Sequence, residues 1–289
     1  MLRTWAIQAT ESLFAVLVPS DCRLCGAPLI RISRLPVCDE CLAAISPLTG
    51  NVCNVCGERV LAAYAFEQGE GEVRCPKCQR LAPAFDRAVA YGSYDDELRE
   101  LIHLLKFGGV RPAAKVLGRM LAESFSRLNA EFESLSDDET VAVIPVPLHR
   151  RKLRQRGFNQ AELIARTALK NYSSDGSLRL APGVLVRQRE TVSQIGLTNH
   201  QRRENLRGAF AVVHPEQVAD RDVLLVDDVL TTGTTVSECA RVLRRAGARR
   251  VLVATVARTL KMASKYVDIE AGDEVGAEKA MHFARAAGE

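Results

Sequence analysis

The run VLLVDDVLTTGTT over residues 223–235 constrains the fold of this chain more than any other stretch. Four consecutive apolar residues, Val223 to Val226, suit a strand buried on both faces rather than a half-exposed one, which would alternate. Val236, Ala240 and Leu243 then recur at helical spacing, with Cys239 inside the same stripe as a core residue, and Gly247 supplies a stop. The pattern predicts a helix over 236–246. A buried strand leading directly into an amphipathic helix is the repeating unit of a parallel sheet. Between the two lie adjacent carboxylates, Asp227 and Asp228, and a threonine loop around Gly233. That combination suits a phosphorylated sugar. The carboxylates can accept from vicinal hydroxyls. Gly233 lets the backbone approach an anion closely. Thr231, Thr232, Thr234 and Thr235 add hydroxyl donors beside the open amides of a helix start. Thr235 and Glu238 also have the spacing of a capping box.

Strand and helix patterns alternate from about 84 to 260. An edge strand is expected over 87–94, then a helix opened by Asp95 and Asp96, with Leu98, Leu101, Ile102 and Leu105 on one face and Gly108-Gly109 as its stop. A second helix is expected over 112–128 and an acidic surface loop from Glu131 to Glu139. A buried strand follows over 141–144. Asn159 and Glu162 have capping-box spacing ahead of a helix carrying Leu163, Ile164 and Ala168. Residues 171–177 read as linker, and short strands near 183–187 and 208–213 flank a long polar loop. A last strand covers 251–256. The fold class is therefore α/β: a mostly parallel sheet with helices on both faces. Ligands of such sheets collect outside the carboxyl ends of the strands, where residues 227–235 sit. The run PVPLHRRKLRQRGFNQ over 145–160 follows the strand at 141–144 at that same edge. It carries five cations and no acid, so its arginine forks suit pyrophosphate or nucleic-acid phosphates. His149 reads as a polar loop residue rather than a base.

Ahead of this lie eight of the nine cysteines, in four Cys-x-x-Cys knuckles: Cys22/Cys25, Cys38/Cys41, Cys53/Cys56 and Cys75/Cys78. Two knuckles supply the four thiolates of a tetrahedral zinc site, so the count is two structural zinc ions. Sequential and interleaved pairings both satisfy the spacing. A closed four-thiolate site leaves no position for substrate, and no helix start or cation that would activate a thiol is evident. Gly26 and Gly57 are read as freeing backbone amides to turn toward the sulfurs. The 289 residues divide into an amphipathic helix over 1–17, suited to packing or to membrane or partner docking, the cysteine module over 18–80, the α/β domain over 84–260, and a loosely ordered tail over 261–289. The apolar stretch Leu13–Val18 is too short to cross a membrane. The net charge of +4 does not by itself mark a nucleic-acid binder.

Residues 223–235 resemble the phosphoribosyl pyrophosphate (PRPP) signature of type I phosphoribosyltransferases. Joined to the cysteine knuckles, Lys106-Phe107-Gly108, Arg156-Gly157-Phe158-Asn159-Gln160-Ala161 and the spaced Arg187, Gln194, Leu197, Arg203, Asn205 and Phe210, they make the chain resemble the ComF family over about residues 15–258. These are bacterial competence-associated, phosphoribosyltransferase-like proteins with an N-terminal double zinc ribbon. The resemblance implies a cytoplasmic protein binding PRPP with Mg²⁺ and assisting DNA uptake or single-stranded DNA handling alongside the competence machinery. It implies that Asp227 and Asp228 hold the ribose and Thr231 to Thr235 the 5′-phosphate. It places Arg150 and Arg151 near the pyrophosphate, and makes Gln194, Arg202 and Arg203 contacts of a flexible loop over 190–206. A metabolic phosphoribosyltransferase acting on a nitrogen acceptor is the other reading. No residue is singled out as catalytic, and turnover is not implied by the motif.

Overall fold

The computed structural model describes residues 20–29, 33–60, 73–133, 140–172, 177–191 and 198–260. The helix expected over 1–17, the tail from 261 and Gln194 lie outside them. In the cysteine module two short helices are present, α1 (Asp39–Ala44) and α2 (Pro76–Arg80). The domain that follows runs β1 (Arg87–Ser93), α3 (Asp96–Lys106), α4 (Ala113–Phe125), α5 (Asn129–Glu133), β2 (Val141–Pro145), α6 (Arg150–Arg156), α7 (Gln160–Asn171), β3 (Leu178–Leu180), β4 (Leu185–Arg187), α8 (Asn199–Leu206), β5 (Phe210–Val212), β6 (Asp222–Leu230), α9 (Thr234–Arg245) and β7 (Arg250–Arg258). Five strands form one sheet in the order β1-β7-β6-β2-β3, every pairing parallel. β4 and β5 pair antiparallel beside it.

Side chains alternate between the two faces of each strand, so β6 divides its apolar residues between two cores. Leu224 and Val226 pack with Leu101, Leu117, Phe125 and Ile164 from α3, α4 and α7. Val223 and Leu225 pack with Val236 and Leu243 from α9 and with Leu185 and Phe210. Helices α4 and α7 cross closely at Gly118, where an added Cβ would lie 2.4 Å from the Thr167 Cβ and 3.0 Å from the Ile164 carbonyl oxygen. Gly118→Ala should therefore cost about 1–3 kcal/mol by overpacking, read as a lower denaturant midpoint with ligand affinity unchanged.

The cysteine module clamps the edge of the sheet. Cys22, Val37, Cys41 and Ile45 join the core on one face, with Val89 and Tyr91 of β1. Cys53, Cys56, Val60, Cys75 and Cys78 join the core on the other, with Phe85 and Ala88. The backbone of β1 is engaged too: Ala88 N donates to Val55 O at 2.8 Å, and Leu48 N donates to Tyr91 O at 2.6 Å. An edge strand that would otherwise offer unpaired amides is thus partly covered.

Several expectations are corrected. Asn129–Glu133 is helical, and Glu131 pairs with Arg87 at 2.5 Å instead of lying in a free loop. Residues 134–139 lie outside the described set. The basic run after β2 is not a loop throughout, since α6 occupies its middle. β3 was not anticipated; three residues give too short a pattern to recognise. β6 does not end at Val226, because β7 pairs with it as far as Leu230↔Arg258 and carries both aspartates within the strand. The glycine amides do not reach the sulfurs. Gly26 N and Gly57 N donate to the Cys22 and Cys53 carbonyls, and the amides of Leu24 and Cys38 approach the Cys22 Sγ instead.

Candidate functional site

At the carboxyl end of β6 the chain turns through Thr231–Gly233 into α9. Gly233 has φ +76° at the position preceding the helix, so a β-carbon there would be strained. Thr232 and Thr234 share a hydroxyl hydrogen bond of 2.8 Å across the turn. The turn is tied from outside the domain as well: Lys77 of α2 donates its ammonium to the Thr232 carbonyl at 2.6 Å. The capping box expected of Thr235 and Glu238 does not form, because Gly233 is the N-cap. Glu238 instead pairs with Arg241 and accepts from the Gly208 amide at 3.1 Å.

The two aspartates differ sharply. Asp228 is 4 % exposed and meets the ammonium of Lys106, at the end of α3, at 2.8 Å. Burial alone would lower the Lys106 pKa; the charge of Asp228 and its hydrogen bond more than offset this and raise it. Asp227 accepts from the Asp228 amide at 2.9 Å through Oδ1 and forms no ion pair among the described residues. Burial, then the charge of Asp228, push its pKa up to about 8. Asp227 therefore holds its proton more tightly than an ordinary carboxyl, and a bound cation would oppose that.

Two cations of the motifs quoted above, Arg156 and Arg187, lie within reach of the charges of this pair. Arg156, half-buried on α6, feels the charge of Asp228, and Arg187, at the end of β4, feels that of Asp227; partial burial is the main cause lowering both pKa values. Lys152 is depressed by burial and then by the charges of Arg187 and Arg156. Lys152 and Arg156 are four residues apart, hence on one helical face. Reading 150–156 as a helix, with Gly157 as its left-handed stop (φ +79°), would have found them. Arg150 and Arg151, in the first turn of α6, are exposed, and Arg151 pairs with Glu190 at 3.4 Å. His149 caps that helix by accepting from the Arg151 amide. Arg202 and Arg203 lie on α8, the described part of the long loop. Beside Lys106 the Phe107 ring is 74 % exposed, with the Arg156 guanidinium 5.6 Å from its centroid.

The eight knuckle cysteines form two groups, Cys22/Cys25/Cys38/Cys41 and Cys53/Cys56/Cys75/Cys78, within each of which every sulfur lies within 4.8 Å of the others. The pairing is sequential. Sulfur separations of 3.7 Å for Cys25–Cys38, 3.9 Å for Cys22–Cys41 and 3.7 Å for Cys56–Cys75 match the ~3.8 Å edge of a tetrahedron with zinc–sulfur bonds of about 2.3 Å. Two zinc ions fit. Cys239 stands apart, fully buried in the α9 stripe. Among the described residues no helix is long and apolar enough to cross a membrane.

Comparison with known proteins agrees with this layout. The double zinc ribbon domain model matches residues 13–79, and the phosphoribosyl transferase domain model matches residues 168–283. The DNA utilization protein YhgH of Escherichia coli O6:H1 is 32% identical over 244 residues, covering 84% of this chain and 99% of that protein. Competence protein F of Haemophilus influenzae is 30% identical over 230 residues, covering 79% and 93%. A Staphylococcus aureus hypoxanthine phosphoribosyltransferase structure shares 13% identity over 52% of this chain and 68% of that one, with a TM-score of 0.31. With a sequential double zinc ribbon clamped on a parallel phosphoribosyltransferase-type sheet, and relatives matched over nearly their full length, this chain belongs to the ComF/YhgH family.

Proposed function

We propose that the protein binds PRPP with Mg²⁺ at the carboxyl end of β6 and uses it in the service of DNA handling. The observation that carries the reading is the pairing of an open phosphate loop with an aspartate that lacks a cation, beside a second aspartate that has one. Asp227 and Asp228 would accept from the ribose hydroxyls, Thr231 to Thr235 and the α9 amides would hold the 5′-phosphate, and Lys152, Arg156 and Arg187 would face the pyrophosphate. Mg²⁺, a hard cation taking carboxylate and phosphate oxygens, suits an uncompensated Asp227 and would neutralise the leaving group. If a phosphoribosyl group is transferred, the C1–pyrophosphate bond breaks as a nitrogen acceptor bonds to C1, and the residues here bind, orient and neutralise.

The DNA role draws on the relatives' names and on the cations exposed along α6 and α8. Binding through them would be to phosphates and steeply salt-dependent. The metabolic reading draws on Phe107, an exposed ring beside the carboxylates against which a planar acceptor could stack.

Calorimetry with Mg²⁺ tests the site. The full chain should bind PRPP at micromolar affinity, and the Asp227→Asn/Asp228→Asn double variant should lose it by about 100-fold or more. Pyrophosphate release with an acceptor panel would show turnover; its absence with binding intact would favour a PRPP-responsive DNA-handling protein. No PRPP binding by the native chain would overturn the proposal.

A further inference from the structure

Against the phosphate loop lies a cleft of about 650 Å³ that shares Thr232, Gly233 and Thr234 with the proposed 5′-phosphate site and otherwise lies outside it. The second zinc ribbon supplies one wall, with Lys77, Leu81 and Phe85. The helices α8 and α9 supply the other, including Arg207, and Thr232, Gly233 and Thr234 form the end where the cleft meets the loop. Neither Asp227 nor Asp228 lines it. The cleft therefore meets the phosphate loop without reaching the carboxylates.

Cations outnumber acids in the cleft, whose two carboxylates are Glu204, beside His200, and Glu238, paired with Arg241. The ammonium of Lys77 meets only the neutral carbonyl of Thr232, so its charge is not matched by any carboxylate among the described residues. Arg207, at the end of α8, adds an exposed guanidinium. Deeper in, Arg258 is 4 % exposed; its Nη2 binds Glu58 at 3.0 Å and approaches the Cys56 sulfur at 3.5 Å, but its buried Nε has no hydrogen-bond partner. A buried guanidinium N–H is costly to leave unpaired unless something accepts from it. Leu81, 56 % exposed, gives the same cleft an apolar flank. The volume is that of a pocket for a whole small molecule.

We infer that this cleft receives the 5′-side substituent of a ribose 5′-diphosphate ester, so that the loop can seat a phosphate that is not terminal. A ligand lying with its ribose on Asp227 and Asp228 and its 5′-phosphate on the loop directs any group esterified to that phosphate into the cleft. There Lys77 and Arg207 would meet a second phosphate and Leu81 would face an organic remainder. PRPP, whose 5′-phosphate is terminal, would leave the cleft to solvent. The inference rests on the loop and the two aspartates being a pentose-phosphate site, as proposed above.

The test compares two probes by calorimetry on the zinc-loaded full chain: ribose 5-phosphate, and ADP-ribose, which carries the same sugar phosphate extended by AMP. ADP-ribose should bind about ten-fold tighter or better. In Lys77→Met and in Arg207→Met, each shown to retain its zinc, that ratio should fall below about two-fold, as a phosphate contact worth ten-fold is lost. Equal affinities for the two probes in the native chain, or a ratio unchanged in both variants, would overturn the inference while leaving the pentose-phosphate site standing. Failure of the native chain to bind either probe, or ribose 5-phosphate binding that survives Asp227→Asn/Asp228→Asn, would overturn the underlying reading as well.

Discussion

Asp227→Asn should stabilise the protein while abolishing its ligand binding, whereas Asp228→Asn should destabilise it. The two side chains are adjacent on β6, and a sequence gives no reason to treat them differently. Their surroundings do. Asp228 is locked to Lys106 at 2.8 Å, with both groups largely withdrawn from water. Removing its charge leaves a buried ammonium without a counter-ion, which costs on the order of 3 kcal/mol. Asp227 has no such partner, and its carboxylate is opposed by burial and by its neighbour's charge. Replacing it with the isosteric amide removes a charge the apo fold tolerates poorly, a gain that should grow as pH rises.

The pH dependence separates this account from a generic loss of packing. Burial and the charge of Asp228 push the Asp227 pKa up to about 8 from an ordinary 3.8, so the folded protein holds this proton more tightly than the unfolded chain does. The stability it contributes is fully present below pH ~4 and is lost as pH rises through about 8. The advantage of Asp227→Asn over the native chain should accordingly be small near pH 4 and complete above pH 8, in denaturant titrations at several pH values. Affinity for PRPP with Mg²⁺ should run the other way, rising between pH 6 and 8 as the carboxylate sheds the proton that competes with the cation. A flat stability difference across this range would show that Asp227 is ionised throughout.

How much of this could be read from residues alone depended on whether the signal was local. The strand at 223–226, the helix after it, the strands near 141 and 251 and the four knuckles were all evident, because continuous apolar runs, helical spacing and Cys-x-x-Cys are patterns within a few residues. The sequential pairing of the cysteines was not, since spacing allows either choice and only the packing of one group on each face of β1 decides it. Arg150 and Arg151 stand first in a dense basic run that looks like a loop; the structure winds that run into α6, where both are exposed while Arg156 is half-buried and feels the charge of Asp228. The roles of Lys106 and Lys77 were out of reach, because each acts on a residue more than 100 positions away.

That long reach of Lys77 makes zinc removal the other large perturbation, and the two sites should not respond alike. Zinc binding contributes about 10–16 kcal/mol to the folding of small thiolate domains, so stripping both ions should release the two cysteine groups from the sheet and uncover β1, whose exposed amides would then drive association between molecules. The order of events follows from burial. In the first group Cys25 is exposed and Cys38 half-buried, whereas all four cysteines of the second are buried, with the Arg258 guanidinium against Cys56. A chelator should therefore take the first zinc sooner. Its loss should lower the melting temperature yet leave PRPP affinity near its native value, since nothing in that ribbon touches the phosphate loop among the described residues. Loss of the second zinc frees Cys75 and Cys78, which hold Lys77 between them, and with it the bond to the Thr232 carbonyl. Binding should fail at that step. Zinc release followed colorimetrically beside PRPP calorimetry would show affinity tracking the second equivalent released. The variants Cys25→Ser and Cys53→Ser would reproduce the two stages separately. Affinity that falls with the first equivalent would mean that the phosphate loop is held by the module as a whole and not by Lys77.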